Sequence, residues 1–377
     1  MASFLKTLRV FWTVGILATI IGCAGGGDDP AGNAVDDGLF VSVPADEIVD
    51  YDPNDDIIAL TAMTEEFADK ARAALRNKPA DLQSRVRLMA YLNLNRFSSE
   101  ASAFELSKHS LWVAQNAPGS TAAGSPFTQT DRYSPGYDDI REAWEENVRS
   151  HPKDYMILKN AASYFTVYDR EFSRRCLEAG REAFPDDFGW HLGLAHLHSL
   201  DIDGPEGSRE RSEAGQKAYA AQARAIELLK SRDGFTDSFE EADCLAELAL
   251  YAYESNDLGR AEELCDLVIA KAKSAKDELA DEYHNAHQVL GRIALRRGDV
   301  NGAGRHLIES ANVPGSPVLR SFGPRLRLAR MVAAAGNKQS VITYLTNCSE
   351  FVDKPEYNDW IQELRDGKLT SIPGTYD

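Results

Sequence analysis

The chain has 377 residues, of which 59 are acidic and 41 are lysine or arginine, so its formal net charge is −18 at pH 7. This balance argues against nucleic-acid binding, which depends on clustered lysine and arginine facing phosphate. It also offers no basic patch to anionic lipids.

The first 22 residues have the pattern of a secretory signal peptide. Lys6 and Arg9 are basic, and residues 10–22 then carry no charge. That run is too short to span a bilayer, which takes roughly 20 apolar residues. It ends in Ile20-Ile21-Gly22-Cys23, which resembles the bacterial lipobox. The resemblance implies lipidation of Cys23, cleavage before it, and anchoring in the membrane by several acyl chains. The alternative is an ordinary signal peptide followed by a chance cysteine.

Residues 23–60 are rich in Gly, Asp and Pro, and they predict an acidic flexible tether between the lipid and a folded domain. Ala24, rather than aspartate, follows the cysteine. By resemblance to enterobacterial lipoprotein sorting, this favours the outer membrane, with the chain facing the periplasm. We therefore expect a lipid-anchored protein of the cell envelope.

From Thr64 onward, apolar residues recur at three- and four-residue steps, with turn residues between the runs. Sustained alternation of apolar and polar residues, which would predict strands, is absent from the sequence. One segment places Leu290-Gly291 before a Gly298-Asp299 turn, followed by Ala303, Leu307 and Ser310. The same offsets recur in three more segments: Asn160-Ala161 with Tyr168-Asp169, Leu248-Ala249 with Asn256-Asp257, and Leu328-Ala329 with Gly336-Asn337. The pattern predicts an all-α helical-repeat domain over residues 61–370.

The shared spacing has a packing explanation. Small residues let paired helices approach closely, and larger apolar residues fill the spaces between them. The Gly, Asn and Asp residues at the turns adopt left-handed conformations and cap the next helix. The pattern resembles the tetratricopeptide repeat, most closely in residues 289–311. That resemblance implies an α-solenoid of about six hairpins closed by end helices near Thr64 and at Tyr357–Arg365; Sel1-like and other helical hairpins stay open as alternatives.

Two segments interrupt the repeats. Residues 118–139 are rich in Gly, Ser and Pro where a first helix is expected, and residues 201–209 lengthen one turn. Because loops of that length are uncommon in a compact domain, the first is interpreted either as a ligand-facing loop or hinge, or as a simple surface insertion.

The sequence contains none of the common catalytic or nucleotide-binding motifs, so we expect neither an enzyme nor a cofactor. His191, His196 and His198 share one predicted helix, and His284 and His287 share another. Both groups are interpreted as structural, so no metal site is expected; periplasmic metal binding is the alternative. Cys176, Cys244, Cys265 and Cys348 lack CxxC spacing. Cys244 and Cys265 fall in one hairpin and could pair as a disulfide, whereas small buried thiols are the simpler interpretation.

The surface expected to bind a partner is a groove lined by the first helices of the hairpins. Its predicted residues are Tyr155, Phe165, Trp190, His191, Tyr253, Gln288, Arg292, Arg296, Arg327 and Arg330. Aromatic residues and arginines anchor many binding surfaces, and arginine suits carboxylates. The groove is expected to hold an extended or acidic peptide; alternatively, the arginines pair with neighbouring acidic residues. These features predict a scaffold or adaptor for protein–protein interaction in envelope assembly or secretion, and the alternative is a solute- or glycan-binding lipoprotein.

Overall fold

The computed structural model describes residues 37–232, 239–273, 275, 278–370 and 372–373. These residues form seventeen α-helices and no β-strand. The expected signal peptide, the lipidation site Cys23 and residues 24–36 of the expected tether lie outside the described part of the chain. Among the described residues, no helix combines the length and the apolar character needed to cross a lipid bilayer.

The chain forms two compact units, which divide between Trp190 and His191. Unit 1 contains α1 (Ile57–Thr61), α2 (Glu65–Asn77), α3 (Leu82–Asn95), α4 (Glu100–Asn116), α5 (Tyr137–Ser150), α6 (Tyr155–Phe165), α7 (Arg170–Ala183) and the start of α8 (Phe188–Ser199). Unit 2 contains the rest of α8, then α9 (Arg209–Lys230), α10 (Phe239–Glu254), α11 (Leu258–Ala272), α12 (Ala280–Arg296), α13 (Val300–Ser310), α14 (Pro317–Phe322), α15 (Arg327–Ala334), α16 (Lys338–Cys348) and α17 (Glu356–Arg365).

Within each unit, consecutive helices pack against one another. In unit 1 this holds from α2 through α7, and in unit 2 it holds from α9 through α13 and again from α15 through α17. In unit 2, α10 also contacts α12, and α13 contacts α16. Contacts between near neighbours in sequence are typical of an α-solenoid. The predicted all-α, solenoid fold class is confirmed.

The residues that share the repeat spacing explain this packing. The small positions in the first helices are buried at Ala161, Ala249 and Ala329, and Gly291 lies directly against Leu328. A Cβ at Gly291 would lie 2.3 Å from a methyl carbon of Leu328, so only glycine allows this approach as it stands.

The turns between the paired helices also follow the prediction. Asn256, Gly298 and Gly336 have positive φ, a conformation that asparagine and glycine tolerate best. The residue after each of them caps the next helix, because its side chain accepts a hydrogen bond from a backbone N–H three residues further on. The two-residue turn therefore ends one helix and begins the next.

The boundary predicted for the tether at residue 60 is wrong, because residues 37–60 are packed on unit 1. Leu39 is buried, its carbonyl accepts a hydrogen bond from Arg85, and the carbonyl of Val41 accepts one from the indole of Trp112. Asp56 forms an ion pair with Arg87 on α3. The tether expected from composition can extend only over the residues before this segment.

Of residues 118–139, the first nineteen form an internal loop of unit 1, and α5 begins at Tyr137. Ala122, Ala123 and Thr128 are fully buried. The amide of Asn160 donates hydrogen bonds to the carbonyl oxygens of Pro118 and Ser120, at 2.9 and 2.8 Å. The loop thus fills space beside α6 and supplies packing that a helix provides elsewhere, so the interpretation as a simple surface insertion is wrong.

Candidate functional site

Of the aromatic residues expected to line the groove in unit 1, Phe165 and Trp190 instead belong to its core, and Tyr155 is half-buried against them. Phe165 is fully buried and its ring lies 4.9 Å from that of Tyr164. Trp190 is 3% exposed and packs edge-on against Tyr155, with 5.2 Å between ring centroids. Its indole also covers Gly180, where an added Cβ would lie 2.3 Å from the ring. These rings stabilise helix packing and offer little surface to a ligand.

The remaining predicted groove residues lie in unit 2. Gln288 is buried, and its amide donates a hydrogen bond of 3.0 Å to the hydroxyl of Ser310. His191 is buried and Arg330 is half-buried. Of the other four, Tyr253, Arg292 and Arg327 donate hydrogen bonds to one carboxylate, that of Glu206, and Arg296 lies beside the ring of Tyr253. We refer to these five residues, with Arg211 and Glu254, as the Glu206 cluster.

Glu206 is positioned by the loop between α8 and α9. Gly204 and Gly207 flank it with φ of 83° and 81°, values that glycine adopts without strain, and Pro205 fixes the backbone between them. Arg211 donates a hydrogen bond of 3.0 Å to the carbonyl of Gly204. The long turn 201–209 of the sequence is therefore a shaped loop of unit 2 that places one carboxylate against α10, α12 and α15.

Both carboxylate oxygens of Glu206 accept hydrogen bonds. Oε1 accepts from Nη2 and Nε of Arg292, at 2.6 and 3.1 Å, and from Nη2 of Arg327 at 3.0 Å. Oε2 accepts from the hydroxyl of Tyr253 at 2.7 Å. The donors come from α10, α12 and α15, so three helices build a receptor for one carboxylate. Bonds to a carboxylate from charged donors are among the strongest hydrogen bonds in proteins.

A second carboxylate, that of Glu254, holds this receptor in shape. Its Oε1 accepts from Nη2 of Arg292 at 2.7 Å, and its Oε2 accepts from Nε of Arg211 at 2.5 Å. The guanidinium of Arg292 also stacks on the ring of Tyr253, 4.1 Å from the centroid. The guanidinium of Arg296 lies 5.5 Å from the centroid of the same ring, and it donates a hydrogen bond of 2.6 Å to the side chain of Asn256. Arginine stacked on an aromatic ring is held in one orientation.

The electrostatics of the cluster favour anions. Burial raises the pKa of Glu206, but the charge of Arg292 and the hydrogen bond from Tyr253 outweigh it, so the pKa lies below its usual value. The pKa of Glu254 is lowered in the same way, against its burial, by Arg211 and Arg292. Burial lowers the pKa of Arg327, and the neighbouring charge of Arg292 lowers it further. Three arginines, Arg211, Arg292 and Arg327, thus pair with two glutamates in a protein that is acidic as a whole.

Three members of the cluster, Glu206, Arg211 and Glu254, were absent from the predicted groove. The unusual length of the turn 201–209 is the sequence signal that pointed to the right loop. Nothing in the helical periodicity indicates that Glu206 contacts Arg327, because the two residues are 121 positions apart.

The histidines and cysteines have structural environments. His284 is buried, and its Nδ1 lies 2.8 Å from the carbonyl of Ser310. Cys176, Cys244, Cys265 and Cys348 are buried free thiols, so the alternative of a Cys244–Cys265 disulfide is wrong. In the described part of the chain, no three His, Cys, Asp or Glu side chains are grouped so as to hold a metal ion.

Comparison with known proteins gives no family assignment. No family model matches the chain. The search of curated proteins found no match either.

Proposed function

We propose that this chain is a membrane-anchored extracytoplasmic scaffold or adaptor that binds other proteins of the cell envelope. Two features support the proposal: the lipobox-like ending Ile20-Ile21-Gly22-Cys23, and an all-helical fold of neighbouring hairpins, an architecture that generally serves binding. The single observation that carries it furthest is the Glu206 cluster, in which three helices direct donors at one carboxylate. A surface of this kind suits an acidic segment of a partner protein.

The alternative of a solute- or glycan-binding lipoprotein depended on an aromatic surface near Trp190 and Tyr155. A sugar-binding platform needs an accessible ring face, whereas the indole of Trp190 is covered by Gly180, Tyr155 and Phe184. The arrangement of these rings therefore favours the adaptor.

The experiment is a crosslinking pull-down of the full-length, membrane-bound protein from its own cells, identified by mass spectrometry. The Cys23→Ala variant tests the anchor, because loss of the lipid should release the chain from the membrane fraction. The double variant Arg296→Ala/Arg327→Ala tests the site. Arg224→Ala/Arg305→Ala is the matched control, since both of these arginines are exposed and lie outside the cluster.

The expected result is the recovery of one or a few envelope proteins that disappear with Arg296→Ala/Arg327→Ala and remain with the control. Recovery of no protein above the level of the Cys23→Ala sample would contradict the adaptor function. Recovery that is insensitive to both double variants would place the interface elsewhere on the chain.

A further inference from the structure

The donors around Glu206 form a complete carboxylate receptor that does not depend on the loop carrying Glu206. Tyr253, Arg292 and Arg327 belong to α10, α12 and α15. Arg292 keeps its orientation through Glu254 and through its stacking on Tyr253. If the loop moved away, the three donors would still face the same point.

The receptor would then lack an anion. Arg327 would lose its ion pair with Glu206, and the almost completely buried Arg292 would share the single carboxylate of Glu254 with Arg211. Positive charge in excess of negative charge is unfavourable in a buried site, because burial removes the water that would otherwise solvate it. The vacated site would therefore bind an external carboxylate in place of Glu206.

The loop that carries Glu206 is held by the bonds of Glu206 and by the hydrogen bond from Arg211 to the carbonyl of Gly204. Asp203, Gly204, Pro205 and Gly207 are exposed, so little apolar surface is buried beneath them. The residues on either side of this loop in the chain are fixed. Before it, Ile202 packs against Ala195, Ala218 and Tyr251; after it, the hydroxyl of Ser208 caps α9. Rotation at the two glycines between these fixed points would break the hydrogen bond from Arg211 to Gly204 and lift Glu206 out, while both helices stay in place.

We propose that the arginines of the Glu206 cluster form a binding site for an acidic segment of a partner protein, and that Glu206 is its resident occupant, which the partner displaces. The identity of the ligand as a protein segment rests on the proposed function, whereas the carboxylate site does not. Glu206 competes from within the chain at an effective concentration on the order of millimolar, so a single external carboxylate is a weak competitor. Several adjacent acidic side chains bind better, because Arg296 and the partly exposed Arg327 lie at the mouth of the site.

The test uses the full-length chain in detergent and a peptide of four glutamates, with a peptide of four glutamines as the neutral control. Glu206→Ala vacates the site, and Glu210→Ala removes one exposed acid nearby as the matched control. If Glu206 occupies the site for nine-tenths of the time or more, the vacated site should bind the acidic peptide at least about tenfold tighter than the original, as measured by calorimetry. Adding Arg327→Ala to Glu206→Ala should abolish the gain. Equal affinity in Glu206→Ala and Glu210→Ala would overturn the proposal.

A second measurement covers the case in which Glu206→Ala is poorly folded. Acetate at millimolar concentration should raise the melting temperature of Glu206→Ala above its value in chloride at equal ionic strength, and it should leave Glu210→Ala unchanged. No difference between acetate and chloride would overturn the proposal. These two results are independent of the pull-down. Carboxylate binding without a captured partner supports the site and contradicts the adaptor. A captured partner without carboxylate binding contradicts the site alone.

Discussion

Arg292 on α12 and Glu254 at the end of α10 form an ion pair of 2.7 Å inside unit 2, where their side chains are only 6% and 4% exposed. Such a pair is stable only when the remaining polar atoms are also bonded, because burial costs both charges their hydration. Here Arg211 donates to the second carboxylate oxygen of Glu254, and Glu206 accepts hydrogen bonds from Nε and Nη2 of Arg292. The network therefore joins α9, α10 and α12 through charge, in a region where neighbouring helices otherwise pack through small and apolar residues.

Removing Arg292 should strongly destabilise unit 2. Arg292→Ala leaves the buried carboxylate of Glu254 with Arg211 alone and takes two hydrogen bonds from Glu206. Breaking one side of a buried pair costs about 3–5 kcal/mol of unfolding free energy. Urea unfolding followed by helical circular dichroism measures the loss. Arg305→Ala, at an exposed arginine of the same unit, should change stability by less than about 0.5 kcal/mol. A loss for Arg292→Ala no larger than for Arg305→Ala would contradict the structural role given to the network.

The stability of unit 1 should fall in mild acid because of His109. This imidazole is fully buried, and burial lowers its pKa to about 4 from an ordinary value of 6.5. Arg85 donates to its Nδ1 at 2.8 Å, which requires the neutral ring. Because the folded state binds the proton less readily than the unfolded state, the stabilisation is complete above pH 6.5 and is lost as the pH falls towards 4. The shift corresponds to roughly 3 kcal/mol over that range.

His109→Asn tests this origin of the pH dependence. The amide oxygen of asparagine can accept the hydrogen bond from Arg85 but does not titrate. Unfolding midpoints in urea at pH 7 and pH 4.5 should therefore differ less in His109→Asn than in the original protein. His151→Asn, at an exposed histidine of the same unit, should retain the full difference. An unchanged pH dependence in His109→Asn would assign the effect to other groups.

The four described cysteines should be inert in the folded protein. Each is buried, and burial raises the pKa of the Cys176 thiol to about 12 and also raises those of Cys265 and Cys348. Thiols react as thiolates, so both access and ionisation are suppressed. Ellman's reagent at pH 8 should detect no thiol in the native Cys23→Ala variant and four after unfolding in urea without reductant. Two thiols after unfolding would instead show a disulfide.

The sequence predicts those features that depend on neighbours along the chain. The turn residues Asn256, Gly298 and Gly336 indicate both the end of one helix and the start of the next, because left-handed conformation and capping are local properties. The Glu206 cluster depends on contacts between residues up to 121 positions apart, and helical periodicity carries no information about them. The same periodicity placed Trp190 in the groove, whereas its indole packs on Gly180 in the core. The sequence pattern fits either position. Composition misplaced residues 37–60, because a polar segment can still be held by backbone hydrogen bonds such as those at Leu39 and Val41.

Two helical glycines with opposite surroundings give a direct test of close helix packing. At Gly180 on α7, a Cβ would lie 2.3 to 2.5 Å from three atoms of the Trp190 ring. A buried ring cannot move that far without disturbing Tyr155 and Phe184, so Gly180→Ala should cost about 1–3 kcal/mol of stability. At Gly259 on α11, the nearest atom to a Cβ is a side-chain oxygen of Asp257 at 3.9 Å. Gly259→Ala should therefore stabilise the chain by about 0.5–1 kcal/mol, because alanine loses less backbone entropy in a helix. Urea unfolding of both variants gives the sign of each change, and a Gly180→Ala variant as stable as the original protein would show that Trp190 does not hold α7 and α8 at this distance.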